Sequence, residues 1–128
     1  YVRNLQNDVI ALIDDTGATA KVDDLHEDYL RPQENGSHTD CDYLEIKNKN
    51  TVFTAIGNQP FSFNVSSYTQ EELTKKKHSY ELEPSGYTVV CLDYAQSGIG
   101  SNSCGPVLSE KYQLNQNHFE FDMTLIWK

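Results

Sequence analysis

Hydrophobic positions recur with a period of two along much of this chain, and the polar residues between them gather into short turn-forming clusters. That spacing predicts half-buried strands, because successive side chains of a strand point to opposite faces of a sheet. Val9-Ile-Ala-Leu-Ile13 reads as a strand stopped by Asp14-Asp-Thr-Gly17. Val22, Leu25 and Tyr29 are spaced as the packed face of a short turn, with Asp23, Asp24, Glu27 and Asp28 around His26 facing water. Pro32 and Asn35-Gly36 punctuate a loop whose charged members, Arg31 and Glu34, read as braces. Cys41-Asp-Tyr-Leu-Glu-Ile-Lys47 and Thr51-Val-Phe-Thr-Ala-Ile56 predict a hairpin turned at Asn48-Lys-Asn50. Its inward face would carry Cys41, Tyr43 or Leu44, and Ile46. Gly57-Asn-Gln-Pro60 predicts another turn before Phe61-Ser-Phe-Asn-Val65, where Phe61, Phe63 and Val65 share a buried side.

One short helix is expected over Ser67–Lys77. Ser67 and Gln70 have capping-box spacing, acids occupy the first turn and lysines the last. His78 reads as a hydrogen-bonded structural residue ahead of a strand at Ser79–Leu82. Pro84-Ser-Gly86 then turns the chain into Tyr87-Thr-Val-Val-Cys-Leu-Asp-Tyr94, and strand chemistry returns at Tyr112–Leu114 and Phe119–Trp127. Roughly seven short strands, one small helix and no βαβ unit describe an all-β, antiparallel β-sandwich. At 128 residues the chain fits a single domain, residues 1–128, with one core.

Charge narrows the partners. A formal net charge of −9 argues against nucleic acid, whose binding rests on clustered Lys and Arg. The one basic run, Lys75-Lys-Lys77, suits the solvated end of the helix. No apolar run approaches the roughly 18–20 residues of a membrane span, so no membrane association is expected. Cys41, Cys91 and Cys104 are an odd count without a secretion signal, which reads as reduced thiols in a cytoplasmic setting. His38 and Cys41 lack a second ligand pair, and the acidic patch lacks the turn glycine and spacing of a hard-cation loop, so no metal site is expected. The chain opens on Tyr1 in mid-phrase, which suggests a piece of a longer polypeptide.

The least regular stretch is Gly98-Ile-Gly-Ser-Asn-Ser-Cys-Gly-Pro106, with three glycines, two serines, an asparagine and a proline in nine residues. Neither a helix nor a central strand is written this way. It predicts a shaped loop held between strands, where binding groups tend to sit.

Three phrases then form a set: Arg31-Pro-Gln-Glu-Asn-Gly36; Tyr68-Thr-Gln-Glu-Glu-Leu73 with His78; and Ser97 to Pro106 followed by Tyr112-Gln-Leu114 and Ile126-Trp127. In this order and spacing, from about Val22 to Lys128, the chain resembles the C-terminal end of the large bacterial β-galactosidases of glycoside hydrolase family two. The resemblance implies part of a galactose mutarotase-like supersandwich that ends a multidomain glycosidase acting on terminal β-D-galactosides such as lactose. It implies that the acid/base and nucleophile glutamates of a retaining glycosidase, about 5–5.5 Å apart, lie in an upstream barrel. The family's magnesium and sodium sites are expected upstream too, leaving no cofactor and no catalytic residue in this fragment, which should be inactive alone. The implied partners are the galactoside, the upstream domains and further copies in a homo-oligomer.

For the loop, the resemblance implies a place at the active-site mouth, with Asn102, Ser103 and Cys104 as substrate-binding residues. Cys104 occupies a position where one branch of the family carries a tryptophan that stacks on the leaving group. A thiol offers a small apolar contact there and no ring face. The competing reading is a free-standing carbohydrate-binding module that uses exposed aromatics such as Tyr43, Tyr87 or Tyr94.

Overall fold

A computed structural model describes residues 2–3, 9–11, 19–28, 30, 36–95 and 107–128. Among these residues seven strands form one sheet: β1 (Val2–Arg3), β2 (Val9–Ala11), β3 (Thr19–Lys21), β4 (His38–Lys47), β5 (Val52–Ser66), β6 (Tyr87–Asp93) and β7 (Met123–Trp127). The order is β1-β6-β5-β4-β2-β3, with β7 also on β5, and every pairing is antiparallel. The all-β antiparallel class read from the sequence is what the structure shows, with one α-helix among the described residues, α1 (Gln70–Lys75).

The organising element is β5. Its first half, from Phe53 opposite Trp127 to Gly57 opposite Met123, pairs with β7. Its second half, from Ser62 opposite Asp93 to Ser66 opposite Val89, pairs with β6 along the same edge. The turn expected at Gly57–Pro60 is instead a bulge within one 15-residue strand. On the partner strand Cys41 faces Phe61 and Tyr43 faces Ile56, so Gly57 to Pro60 stand against Asp42 alone. A bulge lets Pro60 lie in a strand without removing a ladder hydrogen bond. Gly57 is required there, since a Cβ would lie 2.4 Å from the Gln59 carbonyl oxygen.

A second irregularity sits on β4, where the step from His38 to Cys41 faces the shorter step from Phe63 to Phe61. Asp40, the extra residue's neighbour, takes φ of 57°, a conformation that Asp tolerates better than most. These shifts explain how Cys41 and Leu44, three apart, are both buried, which strict alternation forbids. Of the two inward candidates, Leu44 is the buried residue and Tyr43 is only partly covered.

The core gathers Val22, Cys41, Leu44, Ile46, Ala55, Phe61, Phe63 and Val65, with Phe53, Leu92, Phe121 and Met123 packed against it. Ser62, Asn64 and Ser66 are buried as well, so the second half of β5 is covered on both faces, as in a layered β fold. Val22–Leu25 forms the expected packed turn, a 3-10 helix with Val22 buried.

The helix is shorter than expected and capped differently. Thr69, not Ser67, is the N-cap: its Oγ1 accepts from the Glu72 N–H at 3.1 Å, while Ser67 Oγ donates to Asp23 Oδ1 at 2.8 Å. Leu73 is the buried anchor, and Gln70 Nε2 donates to Cys91 Sγ of β6 at 3.3 Å, tying α1 to the sheet. Glu72 Oε1 accepts from the Glu83 N–H at 3.0 Å and meets Lys76 Nζ at 3.4 Å. The backbone hydrogen bond foremost, then Lys76, holds the Glu72 carboxyl below the usual carboxylate range.

Two other expected strands are absent. Ser79–Glu81 is a 3-10 helix, because Glu81 Oε2 accepts the Lys77 and His78 N–H groups and curls the chain. Glu110–Tyr112 is likewise 3-10, and the last strand starts at Met123 instead of Phe119. The His78 ring stacks on the exposed Tyr80 at 5.1 Å.

Candidate functional site

The end of β6 and the start of β7, which the connection carrying the glycine-rich stretch joins, both lie along β5. Asp93 ends β6 opposite Ser62, and Met123 begins β7 opposite Gly57, so the bulged stretch of β5 lies between the two. Asn58 N–H donates to the Asp122 carbonyl at 3.1 Å and closes the ladder at that point. Asn102, Ser103 and Cys104 lie outside the described residues, as do Arg31 and Glu34.

The described residues between β6 and β7 form an aromatic clasp. Phe121 packs on the core and meets Tyr94 edge-on at 5.7 Å, while Phe119 stacks on Tyr94 at 4.8 Å with 19° between the rings. Tyr94 is thus gripped by two residues from the far side of the loop, geometries that suit aromatic quadrupoles. Its hydroxyl donates to Gln116 Oε1 at 3.1 Å. The approach to β7 has its own bracing: Gln113 Nε2 donates to the Leu108 carbonyl, and Asn115 Nδ2 donates to Gln113 Oε1 at 2.7 Å. His118 Nε2 lies 4.0 Å from Glu120 Oε1, but both are almost fully exposed, so water screens the pair.

Of the aromatics expected to meet a sugar, Tyr94 is partly buried within this clasp. Tyr43 is partly covered too and donates to Glu45 Oε2 at 2.7 Å. That hydrogen bond to the carboxylate, with burial second, raises the phenol above its ordinary range. Tyr87 is exposed. The residues that the strand pattern concealed are Phe119, more than half exposed at 55%, and Gln116. A signal existed: aromatics interleaved with polar residues on the far side of a glycine-rich loop.

Elsewhere the described residues offer structural chemistry. Cys41 and Cys91 form no disulfide among the described residues. Cys41 donates to the Thr39 carbonyl at 3.3 Å, and burial raises the Cys91 thiol above its usual range. His26 stacks obliquely on Tyr68 at 5.0 Å; its Nδ1 and the Ser37 hydroxyl are buried without partners among the described residues. No cluster of three or more His, Cys, Asp or Glu among the described residues could hold a metal ion. None of their helices is long and apolar enough to cross a membrane. Between β6 and β7, then, the described residues offer aromatic rings and side-chain amides.

Comparison with known proteins locates this architecture. The family of the β-galactosidase small chain matches residues 19–125. The chain is 57% identical over 102 residues to a β-galactosidase of Actinobacillus pleuropneumoniae, a match covering 80% of this chain and 10% of that protein. Identity to the β-galactosidase of Staphylococcus xylosus is 45% over 113 residues, 88% of this chain and 11% of the relative. A third β-galactosidase, from Kluyveromyces lactis, is 33% identical over 104 residues, 78% of this chain and 10% of its own. The chain therefore spans about a tenth of the length of these relatives. With the family match running through the core strands β4, β5 and β6 and the clasp of Tyr94, Phe119 and Phe121, the chain belongs to the β-galactosidase small-chain family.

Proposed function

We propose that this chain is the C-terminal β-sandwich segment of a β-galactosidase that hydrolyses terminal β-D-galactosides such as lactose. The observation that carries the reading is the match over residues 19–125 together with identities of 57% and 45% to proteins named β-galactosidase. In this reading the segment completes a supersandwich and lends the loop at 98–106 to the aglycone side of the site. The pair of carboxylates that protonates the leaving group and attacks the sugar, and the magnesium and sodium sites, belong to upstream domains of a cytoplasmic homo-oligomer. The composition of 98–106, rich in glycine and small polar residues, supports the loop's part, because it lets the backbone take shapes that strands cannot.

Within the loop, Asn102 and Ser103 would supply hydrogen bonds to sugar hydroxyls and Cys104 a small apolar contact. In the intact enzyme, Cys104→Trp adds a ring face where the aglycone sugar sits. It is expected to lower the KM for lactose by about threefold to tenfold, the size of an aromatic stacking interaction. Hydrolysis of a small aryl galactoside should change less. Steady-state kinetics with both substrates check this, and an unchanged lactose-to-aryl ratio would count against the loop's assignment.

A further inference from the structure

We infer that β7 is a docking edge: in the intact protein a strand from the rest of the polypeptide pairs with it and lays apolar side chains on Leu125 and Trp127. The inference rests on the reading of this chain as a segment of a longer β-galactosidase and names the surface through which the segment joins the remainder.

The large side chains of β7 stand on the face that builds the core. Leu125 is opposite Ala55, which pairs on its other edge with Leu44, and Trp127 is opposite Phe53, which pairs with Ile46. Leu44, Ile46 and Ala55 are buried in the core, yet Leu125 and Trp127 on the same face are 58% and 59% exposed. Phe53 meets Trp127 only edge-on, at 5.6 Å. Scattered exposed apolar residues are ordinary, but two adjacent ones on the core face mark a layer that ends before the sheet does.

The backbone of the same residues is open as well. Val52 N–H donates to the Lys128 carbonyl at 2.8 Å, and Lys128 N–H donates to the Val52 carbonyl at 2.9 Å. Bonded and non-bonded pairs alternate along an antiparallel ladder, so Ile126 and Thr124 are the next residues bonded to β5. The N–H and C=O groups of Trp127, Leu125 and Met123 therefore point to the opposite edge. Among the described residues β7 pairs with no strand but β5. Edges are normally guarded by charge, proline or a bulge, whereas Met123–Trp127 has neither charge nor proline and runs in unbroken register. Leu125 and Trp127 thus present backbone groups and apolar side chains together, the chemistry that holds an added strand.

The same polypeptide can supply that strand, since the chain spans about a tenth of the length of its β-galactosidase relatives. A tethered strand has the advantage of high effective concentration. A second copy has no such tether, and two chains of net charge −9 repel each other.

The test is amide hydrogen exchange, resolved to single residues, on the longer polypeptide proposed to carry this chain. The Thr124 and Ile126 amides are held by β5 in any case. The Leu125 and Trp127 amides are expected to exchange about a hundredfold or more slower than in an unstructured peptide. Leu125→Lys should speed the Trp127 amide about tenfold or more while Ile126 stays slow, and Thr124→Lys, on the other face, should not. Fast exchange at Leu125 and Trp127 beside slow Thr124 and Ile126 in the parent protein would overturn the pairing, whether or not the variants fold. Protection that disappears on dilution would give the edge to a second copy and overturn it too. Lactose hydrolysis by the same sample separates the two readings: hydrolysis with fast amides overturns the pairing alone, and slow amides without hydrolysis overturn the β-galactosidase reading alone.

Discussion

Phe63→Ala is expected to destabilise the sheet by about 3–5 kcal/mol, the usual range for removing a fully buried aromatic. Phe63 is 1% exposed and sits at a junction. Across one edge of β5 it faces His38, whose ring lies parallel to it at 4.9 Å, and across the other it faces Leu92. Phe61 lies 6.5 Å away on the same strand. Removing the ring opens a cavity between three strands, and backbone held by ladders on both edges cannot collapse into it. Phe63→Leu keeps most of the apolar volume and should cost less. Amide hydrogen exchange of β5 and β6 is the suitable readout, because it reports this sheet whatever else the polypeptide carries. Near-native protection in the alanine variant would show that the core is not centred on Phe63.

Gly36→Ala should cost more than Gly86→Ala, and the difference isolates a close backbone approach. Both glycines have positive φ, 65° and 77°, so either alanine suffers the left-handed penalty of about 1–2 kcal/mol. At Gly86 a Cβ meets nothing within 4 Å. At Gly36 it would lie 2.6 Å from the Leu25 carbonyl oxygen, a backbone atom that cannot swing aside. Relieving that clash must move Gly36, whose carbonyl accepts from His38 Nδ1 at 2.9 Å, and through His38 the stack on Phe63. The expected cost at Gly36 is about 3 kcal/mol or more, with the left-handed strain and the lost packing acting together. Equal melting shifts for the two variants would show that the contact with Leu25 gives way easily.

Legibility of the fold varied with the physics behind each element. Phe61, Phe63 and Val65 were readable because a central antiparallel strand leaves a period-two trace. Ser62, Asn64 and Ser66 followed the polar half of that trace yet are buried, on a face that alternation alone marks as wet and where α1 is tied to Cys91, the neighbour of Asn64 on β6. Gly57 and Pro60 look like turn residues, and only the pairing of β5 with β4, β6 and β7 along its whole length turns them into a bulge. Ser79–Leu82 has strand composition, but local capture of two N–H groups by Glu81 prevails over propensity. For the site, composition located the glycine-rich loop. It could not show that Phe119 stacks on Tyr94 across that loop, because the contact joins residues brought together by β5 alone.

Galactose release from lactose, measured for the longer polypeptide proposed to carry this chain and for the 128-residue chain by itself, tests the β-galactosidase assignment most directly. The expected result is hydrolysis by the intact protein and none by the chain alone. No galactose from the intact protein, or release by the isolated chain, would contradict it.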